Sequence, residues 1–148
     1  MKMAGHFGHI SINPHDDELS IIGTPGSLEY AIGNYSIKRR SMGRFDSTYD
    51  LLKAYLENDT FATWVWLDSV RKLALTIASL SNSLSPEIVV LAGGITKAED
   101  ALFKPLKEFV DVFEFRPKGK KTLIKQATFN DLSGAVGAAA FALSKIVT

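Results

Sequence analysis

Glu29 is the residue whose setting most invites chemistry. It follows the turn Gly23-Thr24-Pro25-Gly26 and falls in the first turn of a helix that Ser27 can cap. A carboxylate behind such a turn can accept two hydrogen bonds from vicinal hydroxyls, which is how proteins commonly grip a sugar. An acid in a first helical turn is also favourable on electrostatic grounds alone, so both readings stand. Two glycines, Gly93 and Gly94, end the apolar run Ile88-Val89-Val90-Leu91-Ala92. Glycine lets a ligand approach the backbone, and α/β sheets bind ligands outside the carboxyl ends of their strands. A Gly-Gly pair after a strand is equally the mark of a tight turn. The stretch LSGAVGAAAFA, residues 132–142, lacks bulky side chains, so it suits close helix packing or the approach of a flat ligand. The imidazoles of His6, His9 and His15 are too loosely patterned to hold a metal without further ligands. The basic run Lys118 to Lys121 reads as a solvated loop rather than a phosphate site.

These groups need elements to position them. His9 to Ile12 alternates polar and apolar and stops at Asn13-Pro14, as a short half-buried strand does. Asp46 or Ser47 can cap a helix from Thr48 to Glu57. The strongest periodic signal runs from about Phe61 to Asn82, where Phe61, Trp64, Val65, Val70, Leu73, Ile77 and Leu80 recur at helical spacing. After Pro86 the branched run Glu87 to Ala92 predicts a strand buried on both faces. Helical spacing returns from Thr96 to about Phe113, with a kink expected at Pro105. A second strand is expected over Leu123 to Ala127, then a helix from Leu132 to Ile146 capped by Asn130-Asp131. Strand, helix, strand, helix implies an α/β layer.

Composition sets the outer bounds. The chain has 148 residues, 46% of them apolar, enough for one domain with a real core. Seventeen basic residues against sixteen acidic leave almost no net charge, so charge suggests neither a nucleic-acid partner nor a membrane surface. No cysteine is present, which excludes disulfides and thiolate metal sites and fits a cytoplasmic location. The opening MKMAGHFGH carries no signal-peptide run.

Four segments in order, AGHFGHISINP, GTPGSLEYAIGNYSIKRR, SPEIVVLAGGITKAED and LSGAVGAAAFAL, resemble the carboxy-terminal part of the ROK family of sugar kinases, glucokinases and sugar-responsive repressors. The resemblance spans nearly the whole chain. It implies a ribonuclease H-like (actin-like ATPase) α/β lobe, a mixed sheet flanked by helices, incomplete relative to the family. The family motif Ala-Gly-Glu-x-Gly-His falls on Ala4-Gly5-His6-Phe7-Gly8-His9, so the usual glutamate is His6 while His9 is kept. The family zinc loop falls on Ser20 to Glu29, which keeps Gly23, Gly26, Leu28 and Glu29 and replaces every cysteine. No structural zinc is therefore expected; packing of Ile21 and Ile22 would hold the loop instead.

By the same resemblance, Glu29, His9 and His6 would meet a hexose or amino-sugar. Gly93, Gly94, Ile95, Ser133 and Gly134 would meet a nucleotide, ATP with magnesium in a complete protein, with the small-residue helix packed beside the Gly-Gly turn. The family's phosphate loops and catalytic aspartate precede the Ala-Gly-Glu motif, where this sequence starts. The expectation is the sugar- and nucleotide-binding lobe of a hexose kinase, inactive alone, joined to an amino-terminal lobe or to further copies of itself. The alternative is the sugar-sensing domain of a regulator without kinase activity.

Overall fold

The computed structural model describes residues 5–129 and 132–146. Helices α1 (Leu28–Ile32), α2 (Ile37–Arg40), α3 (Thr48–Leu56) and α4 (Thr60–Leu84) lead into strand β1 (Ile88–Leu91). Helix α5 (Asp100–Phe113) crosses to strand β2 (Leu123–Gln126), and α6 (Ser133–Ile146) ends the chain. Single 3-10 turns occupy Phe7–His9, Asn34–Ser36, Gly94–Ala98 and Pro117–Gly119. The expected caps Asn130 and Asp131 lie outside the described residues.

Helix α4 is the axis of the fold. Asp59 caps it, its side chain accepting from the Ala62 amide at 2.6 Å. Ser85, left-handed at φ 50°, closes its other end with an N–H bond to the Ser81 carbonyl. Helices α1, α3 and α5 all pack on α4. Its buried arc is therefore wider than a single stripe, and it takes in Ser69, Thr76 and Ser81 as well as Val65, Val70, Leu73 and Ile77. The expected stripe misplaced one aromatic: Trp64 is 59% exposed, whereas Trp66 is 1% exposed and stacks on Tyr55.

Pro105 does not break the helix that contains it. α5 runs through it, and the interruption falls earlier, at Glu99 between the 3-10 turn and α5. Proline has no N–H to offer the carbonyl four residues back, which is Ala101. That carbonyl instead accepts the Trp66 indole N–H at 2.9 Å, tying α5 to α4. Glu99 itself sits at φ 46°, ψ −121°, a conformation natural to glycine and strained for any other residue.

The sheet departs from expectation. β1 and β2 pair in parallel, Ile88 opposite Leu123 through Leu91 opposite Gln126. Val89, Leu91 and Ile124 pack on the core, but Ile88, Val90 and Leu123 are exposed, so β1 is buried on one face and not on both. No second layer covers the outer face among the described residues. Among the described residues the pairing within this sheet is parallel only, and antiparallel contacts are confined to single bridges at Ser11–Ser27 and Leu19–Pro25. The strand expected from His9 to Ile12 reduces to the first of these bridges, because Phe7–His9 winds into a 3-10 turn. From Gly134 to Lys145 helix α6 is exposed, and a Cβ at Gly134 or Gly137 would touch nothing within 4 Å. The close packing expected of its small residues is not found among the described residues.

Candidate functional site

The loop that presents Glu29 is held by backbone and hydroxyl groups. The Ile12 and Asn13 amides both donate to the Gly26 carbonyl (2.8 and 3.2 Å), and the Leu28 amide donates to Ile10 (3.0 Å). Gly26 sits at φ 57°, and a Cβ there would fall 2.1 Å from the Asn13 carbonyl oxygen, so only glycine fits. At the tip, the Ser20 amide donates to Thr24 (2.9 Å) and the Thr24 amide returns to the Ser20 hydroxyl (3.1 Å). Ile21 and Ile22, expected to pack the loop, are instead 71% and 61% exposed. Their neighbour Ser20 is the buried residue, as is Ser27. Two positions at which the resemblance expects cysteine thus carry hydroxyls that satisfy amides, and this closes the loop without apolar burial.

Ser27 caps α1 by accepting from the Tyr30 amide at 3.2 Å, which fixes Glu29 in the first turn. There its Oε2 lies 3.3 Å from His9 Nδ1, with both side chains 31% exposed. The two facing atoms are themselves buried, and neither completes a well-aligned hydrogen bond. His6 stacks on His9 with ring centroids 6.0 Å apart, so the three sugar candidates do gather. The sequence reading missed Tyr35, whose hydroxyl is held above its ordinary value by burial and by the nearby Glu29 charge, against a hydrogen bond to the Ile21 backbone. It also missed Arg40, which bonds Ser69 across 29 residues of sequence. Tyr35 carries a local signal, an aromatic six residues behind the acid; nothing local marks Arg40.

The Gly93-Gly94 turn lies beyond the carboxyl end of β1. Gly93 takes φ 98°, and its carbonyl accepts both the amide (3.1 Å) and the hydroxyl (2.7 Å) of fully buried Thr96. Positive φ therefore requires glycine at 93, while at 94 the space is open. Beside the turn is a cleft of about 230 Å³ lined by Thr48, Tyr49, Leu52, Gly94, Ile95 and Lys97 among others. It includes neither Glu29 nor His9, so the two candidate half-sites do not share this hollow. Ser133 is half-buried and Gly134 exposed at the start of α6. Among the described residues no three His, Asp or Glu side chains gather to hold a metal. Lys118 to Lys121 are exposed, and a wider cleft of about 540 Å³ beside them contains none of the candidate residues.

A sequence model of the ROK family matches residues 1–145. The chain belongs to the ROK family. It is 28% identical to a glucokinase of Halalkalibacterium halodurans, over 91% of this chain and 46% of that protein. It is 27% identical to an N-acetyl-D-glucosamine kinase of Histophilus somni, over 97% of this chain and 50% of that one. The chain thus spans about half the length of the curated relatives it matches. Among solved structures, a ROK hexokinase from Thermus thermophilus superposes with a TM-score of 0.80 at 24% identity, covering 93% of this chain and 48% of the other. A ROK glucokinase from Streptomyces griseus in complex with glucose and AMPPNP gives 0.76 at 19% identity, covering 93% and 51%. A ROK transcriptional regulator homologous to the E. coli MLC protein gives 0.67 at 22%, covering 83% and 34%. At these identities the structural likenesses carry the fold. No helix among the described residues is long and apolar enough to cross a membrane.

Proposed function

We propose that this chain is the carboxy-terminal, ribonuclease H-like lobe of a ROK-type hexose kinase, contributing sugar-orienting and nucleotide-contacting residues but not the full catalytic set. The observation that carries this reading is the meeting of Glu29 and His9, Oε2 3.3 Å from Nδ1, in side chains that both remain 31% exposed. A carboxylate and an imidazole can each hydrogen-bond a sugar hydroxyl, and the exposed part of both side chains leaves them open to one. Glu29 accepts from vicinal hydroxyls, His9 sets their orientation, and His6 flanks the ring. Names of the relatives direct the choice of sugar toward glucose and N-acetyl-D-glucosamine.

Gly93, Gly94 and Ile95 fit a nucleoside because the turn is open to approach and adjoins a cleft with an aromatic and an aliphatic wall, Tyr49 and Leu52. Ser133 and Gly134 complete that side if α6 closes over it. Magnesium-bound ATP supplies the transferable phosphoryl group; this chain only binds and orients. Phosphoryl transfer needs both reactants positioned and the developing charge neutralised, so the lobe alone is inactive. The bare outer face of the sheet and of α6 is where an amino-terminal lobe or a further copy of the chain would seat.

A second reading, a sugar-sensing domain without turnover, is favoured by His6 in place of the family glutamate and by the likeness to a ROK regulator. Titrating the 148-residue chain with glucose and N-acetyl-D-glucosamine by calorimetry tests the pocket. Saturable binding that weakens about tenfold in Glu29→Gln, at an almost unchanged thermal midpoint, is expected for lost charge-assisted hydrogen bonds. Unaltered affinity removes Glu29 from the site. Hexose-dependent ATP consumption once the upstream half is supplied selects the kinase; a helix-turn-helix upstream selects the regulator.

A further inference from the structure

Arg40 is a half-buried cation with no carboxylate on it among the described residues. The acid that most influences it, Asp68, is engaged with Lys72 at 2.7 Å. A guanidinium taken out of water without a counter-ion is costly unless its donors are well used. Here they are: Nε donates to the Ser36 hydroxyl (3.0 Å), Nη1 to the Ser69 hydroxyl (2.7 Å) and Nη2 to the Gly33 carbonyl (3.3 Å).

Each bond ends on a group that governs α1. Gly33 is the residue that closes α1, its amide donating to the Glu29 carbonyl at 2.8 Å. The Ser36 hydroxyl shares its one hydrogen between the Tyr30 carbonyl (2.5 Å) and the Gly33 carbonyl (2.9 Å), so it gathers the carboxyl end of the same helix. Ser69 stands on α4, its hydroxyl anchored to the Val65 carbonyl at 2.9 Å. α1 has only five residues and one buried face, too little to fix its orientation by packing alone. The rigid fork of Arg40 supplies the missing restraint, and its positive charge lies at the carbonyl end of the helix, where it is favoured.

We propose that Arg40 is a positioning residue: it locks α1 onto α4 through Gly33, Ser36 and Ser69 and so sets where the Glu29 carboxylate meets His9 and the sugar. This rests on the sugar-site reading above. A lysine keeps the charge but cannot reach all three acceptors at once.

The test is a double-mutant cycle on the 148-residue chain, reading affinity for D-glucose and N-acetyl-D-glucosamine by calorimetry. Arg40→Lys is expected to weaken binding about tenfold when Glu29 is present and by less than about twofold in the Glu29→Gln background, since residues acting through one another do not add. An equal loss in both backgrounds, or none in either, overturns the proposal. Ser69→Ala, which removes only the α4 anchor, should repeat the pattern more weakly, and it serves if Arg40→Lys does not fold. The His9 ring proton–carbon cross-peak in the NMR spectrum reads the same geometry without ligand. It should move in Arg40→Lys and Ser69→Ala; a fixed cross-peak overturns the proposal. If the wild-type chain binds neither sugar while the cross-peak still moves, the sugar reading fails and the positioning role stands.

Discussion

The α4–α5 pair and the β2–α6 end are both built from apolar residues, yet they meet opposite fates. Trp66, Leu102, Leu106 and Val110 are fully buried where the two helices cross. Leu123, Val136, Phe141 and Leu143 are exposed. Hydrophobic content says that a segment wants a partner; it does not say that the partner lies in the same stretch of chain.

The sharpest break of this contrast is a pair of truncations. Leu106→Ala should destabilise the chain by about 2–5 kcal/mol, whereas Leu143→Ala should stay within about 0.5 kcal/mol. Chemical denaturation measures both, and equal losses would mean that α6 is packed after all. Glycines sharpen it next. Gly26→Ala drives a Cβ into the Asn13 carbonyl at a left-handed φ and should cost on the order of 2 kcal/mol. Gly134→Ala adds its Cβ to open space and should instead gain up to about 1 kcal/mol of helix propensity. Glu99→Gly, at the strained entry to α5, should stabilise by about 1 kcal/mol, visible as a raised thermal midpoint.

The smallest effect is electrostatic. Burial alone would raise the Glu114 carboxyl, but hydrogen bonds from Thr122 and Arg116 outweigh it and hold it below its ordinary value. Asp111 is lowered chiefly by its hydrogen bond with Arg116. A depressed folded value means that the stabilisation is present above the unfolded value, near 4.5 for Glu114, and is lost as pH falls through the folded one. Thermal melts between neutral pH and the acid side of that value should show the decline. Glu114→Gln should flatten part of it.

Helices α3 and α4 were legible from their periodicity, and Ser47, one of the two caps expected for α3, does cap it; the Asp59 cap of α4 was not anticipated. Trp66 was not, because three helices pack on α4 from different sides and a single stripe cannot describe so broad a contact. Glu29 was legible from the turn and cap before it, and its meeting with His9 follows from the Ser11–Ser27 bridge that brings the two segments together. Ile21 and Ile22 misled because hydrophobicity was taken for burial, while the small hydroxyls of Ser20 and Ser27 did the closing. Arg40 was hidden by distance in sequence, since only tertiary contact gives its donors their acceptors.

One consequence of Pro105 runs against ordinary helix engineering. On propensity, replacing it with alanine should strengthen α5 by about 3 kcal/mol. Yet the imino acid leaves the Ala101 oxygen vacant for an indole from the neighbouring helix. A substitute with its own amide would bring a rival donor to that oxygen, so a straighter α5 could grip its neighbour less firmly. What looks like a flaw in one helix is the rivet between two.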